Sequence, residues 1–98
     1  SKVHEATIQD RNGRPAVVVT GEAYGNNFGK RTLQVAFGDS PSESDWKTVS
    51  SSDAAVENGE LGAISGAQFD QRGAWYIRCL VNDSDGNTQE SRLKVTLK

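Results

Sequence analysis

The chain has 98 residues, with 11 Lys and Arg against 13 Asp and Glu and a formal net charge of −2 at pH 7. This length is typical of one domain with a single hydrophobic core that needs no metal or disulfide to fold. The acidic balance argues against nucleic acid as a partner, since phosphate-backbone binding usually needs excess positive charge. The longest apolar run, residues 16–19, is far below the roughly 20 residues of a membrane span, so we expect a soluble chain without membrane insertion.

The sequence contains one cysteine and no methionine. One cysteine cannot form an intradomain disulfide, so a reduced cytosolic chain and a disulfide-free secreted module both fit. The first residues carry neither an initiator methionine nor an apolar signal segment. We therefore expect residues 1–98 to be a single module of a larger polypeptide, with the neighbouring domains of that polypeptide among its partners.

Alternation of apolar and polar residues predicts about seven short β-strands and no helix. The predicted strands lie near residues 3–9, 16–23, 31–37, 46–50, 61–69, 75–82 and 91–97. Tight hairpin turns are expected at Asn12-Gly13 and Asp85-Gly86. Residues 24–30 and 38–45 predict loops, and residues 51–59 predict an irregular crossing or a frayed edge strand. Gly62 and Gly66 indicate a bulge in the fifth strand.

The sixth strand has the clearest pattern, because two sets of residues alternate along it. One set is expected to be buried: Trp75, Ile77, Cys79 and Val81. The other is expected to be largely solvated: Tyr76, Arg78, Leu80 and Asn82. We interpret Cys79 as a packed, unreactive thiol. The core between the two layers is expected to include Leu33, Val35, Phe37, Ile77, Cys79 and Val95.

Three segments together resemble a fibronectin type III or related immunoglobulin-like module. They are Leu33-Gln-Val-Ala-Phe37 followed by Trp46-Lys-Thr-Val49, the run from Leu61 to Phe69 leading into Gly73, and Trp75-x-Ile77-x-Cys79-x-Val81 ending at Asp85-Gly86. The resemblance implies an all-β, two-sheet antiparallel sandwich. The second strand lacks the tryptophan usual in fibronectin type III domains, and Trp75 stands where tyrosine is usual. The immunoglobulin pattern fits less well, because residues 16–23 hold no first cysteine and residues 31–37 hold no tryptophan.

In a sandwich of that type the loops after the second and sixth strands emerge at the same end. This places two sets of residues side by side as a candidate binding surface: Tyr24, Asn26, Asn27 and Phe28 beside Asp83, Ser84, Asp85 and Asn87. Exposed aromatic rings with Asn, Asp and Ser are suited to protein or sugar recognition. The alternative is that the two aromatic rings cover the end of the core and the polar residues solvate turns.

Trp46 is the second candidate, since an exposed indole on a flat sheet stacks on sugar rings. The alternative, favoured by the resemblance, is that Trp46 packs over the sheet edge. Tyr76 and Arg78 are expected to form a cross-strand pair or a cation–π contact rather than a ligand platform.

Catalysis is not expected, because His4 lies near the chain end and Cys79 is predicted to be buried. No cofactor or metal is expected either. The run from Asn82 to Asn87 suggests a calcium loop, but counting Gly86 as the sixth position places Val81 and Leu93 where oxygen ligands are required. The hypothesis is a non-catalytic interaction or spacer module that binds proteins through loop ends or sheet edges. Under this hypothesis the module is expected to belong to a surface, phage-structural or secreted protein and to be extracellular or on a cell or virion surface. The alternative is a carbohydrate-binding module attached to a secreted glycoside-degrading enzyme.

Overall fold

The computed structural model describes residues 1–25 and 27–97 and contains seven strands in two antiparallel sheets. The strands are β1 (Lys2–Arg11), β2 (Arg14–Ala23), β3 (Phe28–Phe37), β4 (Lys47–Ser52), β5 (Val56–Ser65), β6 (Gly73–Asp83) and β7 (Thr88–Leu97). Sheet A has the order β1-β2-β5 and sheet B the order β4-β3-β6-β7. The fold is therefore the all-β sandwich that the alternation predicts.

Turn chemistry explains two of the strand connections. Asn12 and Gly13 both have positive φ, 56° and 79°, which is the two-residue hairpin turn expected between β1 and β2. Gly86, with φ of 89°, lies in the turn between β6 and β7. Both hairpin predictions are confirmed, because each turn needs backbone angles that glycine adopts without steric cost.

The core lies between the two sheets and consists mainly of the inward residues of β2, β3, β5 and β6. Its members are Val19, Ala23, Leu33, Val35, Leu61, Ile64, Trp75, Ile77, Cys79 and Val81. Val95, also predicted, is half-buried against this cluster. Phe37 was expected in the core and is instead 39% exposed, so that prediction is wrong. Phe37 is the last residue of β3, where its ring packs edge-on against Trp75 at a centroid distance of 5.1 Å.

The fifth strand differs from its prediction in position and pattern. It spans Val56–Ser65, so it includes residues 56–59 of the predicted irregular segment, and a short 3-10 helix, Gly66–Gln68, follows it. The β2 pairing passes from Val19 opposite Gly62 to Thr20 opposite Glu60, so the predicted bulge is present. This extra residue breaks the alternation, leaving Leu61 and Ile64 buried and Ala63 exposed.

Arg31 ties the two sheets together at one side of the sandwich. It lies on β3, yet its Nε donates to the carbonyl of Leu61 on β5 at 3.2 Å, and its Nη1 donates to the carbonyl of Ala54. Neither helix in the described chain, both short 3-10 turns, is long and apolar enough to cross a membrane.

Candidate functional site

The two predicted binding loops meet at one end of the sandwich. The backbone N–H of Ser84 donates to the carbonyl of Asn27 at 2.8 Å, and Asn27 Nδ2 donates to Asp85 Oδ2 at 3.0 Å. We refer to this surface as the loop-end cluster; it comprises Tyr24, Asn27, Phe28, Asp83, Ser84, Asp85 and Asn87. Asn26, also predicted for this surface, lies outside the described residues. The β3 strand begins at Phe28, so the first loop is shorter than predicted.

Asp83 organises the second loop. Its Oδ1 accepts from the backbone N–H groups of Asp85 at 3.0 Å and Asn87 at 2.8 Å, and its Oδ2 accepts from Asn87 Nδ2 at 3.2 Å. These bonds, first of all the one from the Asn87 backbone, hold the Asp83 pKa below its usual value. The Asp83 carboxylate is therefore engaged within its own turn. Within residues 1–25 and 27–97, no three His, Cys, Asp or Glu side chains are grouped to hold a metal ion.

Tyr24 is the most accessible aromatic residue of the loop-end cluster, with 50% of its surface exposed. Phe28 is half-buried and packs against the core. The cavity between the loops has a volume of about 90 Å³, whereas pockets that enclose small molecules usually measure ~300–1,000 Å³. Its lining residues are Tyr24, Gly25, Phe28, Val81, Asp83, Asn87 and Gln89. This surface can offer one ring and several polar groups, but it cannot enclose a ligand.

The second predicted site lies around Trp46 on the outer face of sheet B. There two arginine side chains stack on the Trp46 ring and pair with carboxylates. The Arg78 guanidinium lies 4.2 Å from the centroid of the Trp46 ring, and that of Arg92 lies 5.0 Å away. A cross-strand pair or a cation–π contact was expected for Tyr76 and Arg78, and Arg78 makes a cation–π contact with Trp46, which comes from another segment. Trp46 itself is half-buried just before β4, and its Nε1 has no hydrogen-bond partner among the described residues.

Arg78 was predicted to lie on a solvated face, but it is only 5% exposed, so that prediction is wrong. Three hydrogen-bonding partners surround its guanidinium: Gln34 at 2.6 Å, Glu90 at 2.8 Å and Glu43 at 3.3 Å. Glu43 belongs to a short 3-10 helix, Glu43–Asp45, within a loop that was predicted from its polar composition. That loop and Trp46 fold over the sheet face and exclude water, which a period-two pattern within β6 does not indicate.

A third surface, which the sequence did not indicate, lies where β1 and β7, the outermost strands of the two sheets, approach each other. We call it the edge groove, defined by Ile8, Pro15, Val17, Phe69 and Leu97. Ile8 is 73% exposed, the highest value among the large apolar residues described. Adjoining cavities of about 220 and 250 Å³ share Ile8, Val17, Phe69 and Leu97 as lining residues. Ala6 and Ile8 share the lining of the second cavity, but only Ala6 packs against the core.

The single histidine and the single cysteine of the sequence lie on different sheets. His4, on β1, is 3.5 Å from Glu22 on β2. Cys79, on β6, is fully buried, and burial raises the pKa of its thiol.

Comparisons of this chain with known protein families, curated proteins and solved structures found no match.

Proposed function

We propose that this chain is a non-catalytic protein-interaction module that binds its partner at the edge groove. The observation that carries the proposal is the 73% exposure of Ile8 beside other apolar residues. Contiguous apolar surface on a soluble domain commonly marks a contact site, and fully covering one isoleucine side chain stabilises a complex by about 1.5–3 kcal/mol.

The border of the edge groove supports a protein partner. A wider depression around Ile8, Phe69 and Leu97 also includes Asp70, Gln71 and Arg72. An apolar centre with polar and charged residues at its rim is typical of protein interfaces. The rim charges are of both signs, which favours a partner with mixed charge over a strongly acidic or basic one.

The position of the groove at a sheet edge also supports this proposal. In the part of the chain that the structure describes, β1 pairs with β2 alone, so its other side is open. A strand edge offers backbone N–H and C=O groups to an extended partner, and an adjacent groove receives its side chains. Binding through a sheet edge therefore uses both features at once.

We further propose that the module is a divergent fibronectin type III-like domain of a surface, phage-structural or secreted protein. Its fourth strand belongs to the sheet of β3, β6 and β7, whereas immunoglobulin constant domains place the fourth strand with the first, second and fifth. Trp75 Nε1 donates to the carbonyl of Gln71 at 2.9 Å, four residues upstream. This bond resembles the one that a corner tyrosine makes in such sandwiches.

Site-specific photo-cross-linking tests the proposed function. A benzoyl-phenylalanine at position 8 of the protein, expressed in its native setting, should cross-link to a protein partner at the edge groove. The same residue at position 51, an exposed site on β4, is the matched control and should give background only. Background levels at both positions would instead indicate a passive spacer.

Carbohydrate binding at the loop-end cluster is a second candidate, and the exposure of Tyr24 favours it. Trp46 supports it less, because Arg78 already packs on its ring. Titration with soluble polysaccharides, followed by intrinsic fluorescence, should show saturable binding that Tyr24→Ala weakens at least tenfold. Ile8→Asp serves as the control and should leave sugar binding unchanged. Absence of saturation across a polysaccharide panel would argue against this candidate.

A further inference from the structure

The open edge of β1 presents a defined set of backbone groups. In a two-residue hairpin turn the flanking residues, here Arg11 and Arg14, form a hydrogen-bonded pair. Since such pairs alternate along an antiparallel ladder, Gln9, Thr7 and Glu5 also bond to β2. The N–H and C=O groups of Ala6, Ile8 and Asp10 therefore point to the open side.

Pro15 agrees with this assignment. It lies opposite Asp10 in the β1–β2 pairing and has no backbone N–H to donate. Proline is tolerated there because that pair does not exchange hydrogen bonds. Ile8 therefore contributes two features. Its side chain lines the edge groove, and its backbone N–H and C=O groups point to the open side of β1.

The stretch from Glu5 to Arg11 is regular, since the only irregularity in the β1–β2 pairing lies between Val3 and Glu5. The other sheet edges of the described chain are less suited to receive a strand. The β5 edge carries irregularities in its pairing with β2, β4 has only six residues, and β7 alternates through Glu90, Arg92 and Lys94.

We propose that the partner at the edge groove is a second copy of this chain, with the two β1 strands paired antiparallel about a two-fold axis at Ile8. This inference rests on the proposed function, because it names the occupant of the same site. Pairing joins the two A sheets into one and places each Ile8 against the other. The edge grooves of the two copies then lie next to each other.

Charge complementarity selects this register. A two-fold axis at Ile8 places Glu5 opposite Arg11 of the second copy, twice, on the outer face of the joined sheet. Arg11 bonds to Glu60 on β5 of its own chain at 2.6 Å, so in the dimer its guanidinium turns from Glu60 towards Glu5 at the open edge of β1.

The two neighbouring registers form fewer favourable side-chain contacts between the copies. An axis at Thr7 pairs Ile8 with Ala6 but moves Arg11 away from Glu5. An axis at Gln9 places Asp10 opposite Ile8, whereas the proposed axis places it opposite the smaller Ala6. The Gln9 axis also pairs Arg11 with Thr7 instead of Glu5. Axes between residues are excluded, because they oppose open backbone groups with groups already bonded to β2.

The paired stretch from Glu5 to Arg11 is much shorter than the roughly 20–30 residues that each partner contributes to a standard stable interface. The dimer is therefore expected to be reversible and concentration-dependent. In analytical ultracentrifugation the apparent mass should rise from 10.6 kDa towards twice that value with increasing concentration. Ile8→Lys should hold the mass at the monomer value across the same range.

Disulfide trapping tests the register. Hydrogen-bonded antiparallel partners have Cα atoms about 5.5 Å apart, within the range that a disulfide spans. Ile8→Cys should therefore form a covalent dimer under mild oxidation at least tenfold faster than Thr7→Cys or Gln9→Cys. Cys79 is buried and should not compete. Equal rates for the three variants, or fastest trapping at position 7 or 9, would overturn the proposed register.

A charge exchange provides the second test. Glu5→Arg and Arg11→Glu should each weaken dimerisation at least threefold, and the double variant should recover most of the loss. Thermal unfolding of each variant shows whether the monomer remains folded. Failure of the double variant to recover any dimerisation would contradict the Glu5–Arg11 pairing.

The cross-linking experiment separates this inference from the proposed function. A position-8 cross-link to a second copy of the chain supports both. A cross-link only to a different protein supports the proposed function and overturns the self-pairing. Background levels at position 8 overturn both.

Discussion

Arg78 shows how much one charged residue can depend on its surroundings in this fold. Its side chain is 6% exposed, whereas the side chains of its carboxylate partners Glu90 and Glu43 are 33% and 82% exposed. A buried guanidinium is tolerated only when its donors are satisfied, and here Gln34 and two glutamates accept from it. Trp46 then covers the group as a cation–π partner. The network attaches the loop that precedes β4 to the outer face of sheet B.

Arg78→Ala should lower the free energy of unfolding by about 2 kcal/mol, the range for losing hydrogen bonds to charged groups. A larger loss of stability is not expected, because the exposed Glu43 carboxylate can hydrogen-bond to water once the guanidinium is removed. Arg78→Lys should recover only part, since an ammonium lacks the planar fork that bonds several acceptors. Urea unfolding measures all of these values. Arg72→Ala, at an exposed arginine, should change stability by less than ~0.5 kcal/mol; an equal effect at both positions would contradict a special role for Arg78.

At the scale of strands, β1 is held against β2 by a close backbone approach as well as by pairing. A Cβ on Gly21 would lie 2.0 Å from the backbone oxygen of Lys2, so no side chain fits without movement. Gly13 offers a contrast, because a Cβ there meets nothing within 4 Å and only the positive φ of 79° opposes it. The two glycines therefore serve different physical needs.

Gly13→Ala should cost about 1 kcal/mol, the penalty of a side chain in left-handed backbone. Gly21→Ala should cost more, about 2–3 kcal/mol, as expected for a steric clash in a packed region. Amide hydrogen exchange should be faster at Val3 in the Gly21 variant. The exchange rate at Ile77 should change only as much as the overall stability requires. Similar costs and similar exchange in both variants would argue against the close approach as the cause.

The β6–β7 hairpin should respond to acid through Asp83. Because the folded-state pKa of Asp83 is lowered from about 3.8, its contribution to stability is complete above the unfolded-state pKa. That contribution is lost as the pH falls through the lower folded-state pKa. Urea unfolding between pH 7 and pH 2 should therefore show stability decreasing below about pH 4.

Asp83→Asn is the control for this pH dependence. It should lower stability at neutral pH and reduce the acid-dependent loss. A remaining loss is expected from Glu60 and Glu90, whose pKa values are also lowered, by Arg11 and Arg92 respectively. An unchanged acid profile in the variant would show that the hydrogen bonds of Asp83 do not stabilise the hairpin.

At the scale of the whole molecule, the sandwich depends on pairings between strands distant in the chain. The β2–β5 and β3–β6 ladders each join strands separated by other elements, and they form the centres of the two sheets. Bringing distant segments together costs chain entropy before any contact is gained, so folding is expected to take milliseconds to seconds. Stopped-flow refolding from urea, followed by tryptophan fluorescence, measures this rate. Microsecond folding would contradict the role of these long-range pairings.

Much of this architecture could be predicted from alternation and turn chemistry. The buried series Trp75, Ile77, Cys79 and Val81 lies on one face of β6, as its period-two spacing indicates. The turns at Asn12-Gly13 and Asp85-Gly86 were also evident, because few residues adopt positive φ without cost. Predicting that the loop-end residues lie together required the additional assumption of a sandwich topology.

Other features were not evident, because they depend on residues far apart in the chain. Local spacing indicates which face a side chain is on but not what covers that face, so Arg78 was expected in water and Phe37 in the core. The burial of Arg78 arises when Trp46 and Glu43 fold over it from another segment.

The edge groove was not evident from the sequence for the same reason. Ile8 lies two residues after Ala6, which packs against the core. Ile8 nevertheless stays exposed, because β1 and β7 are the outermost strands of their sheets and neither covers it. Backbone dihedral preferences and alternation act over a few residues and are therefore readable along the chain. Coverage of a surface depends on how two sheets pack, and that is set by contacts between segments that the linear order separates.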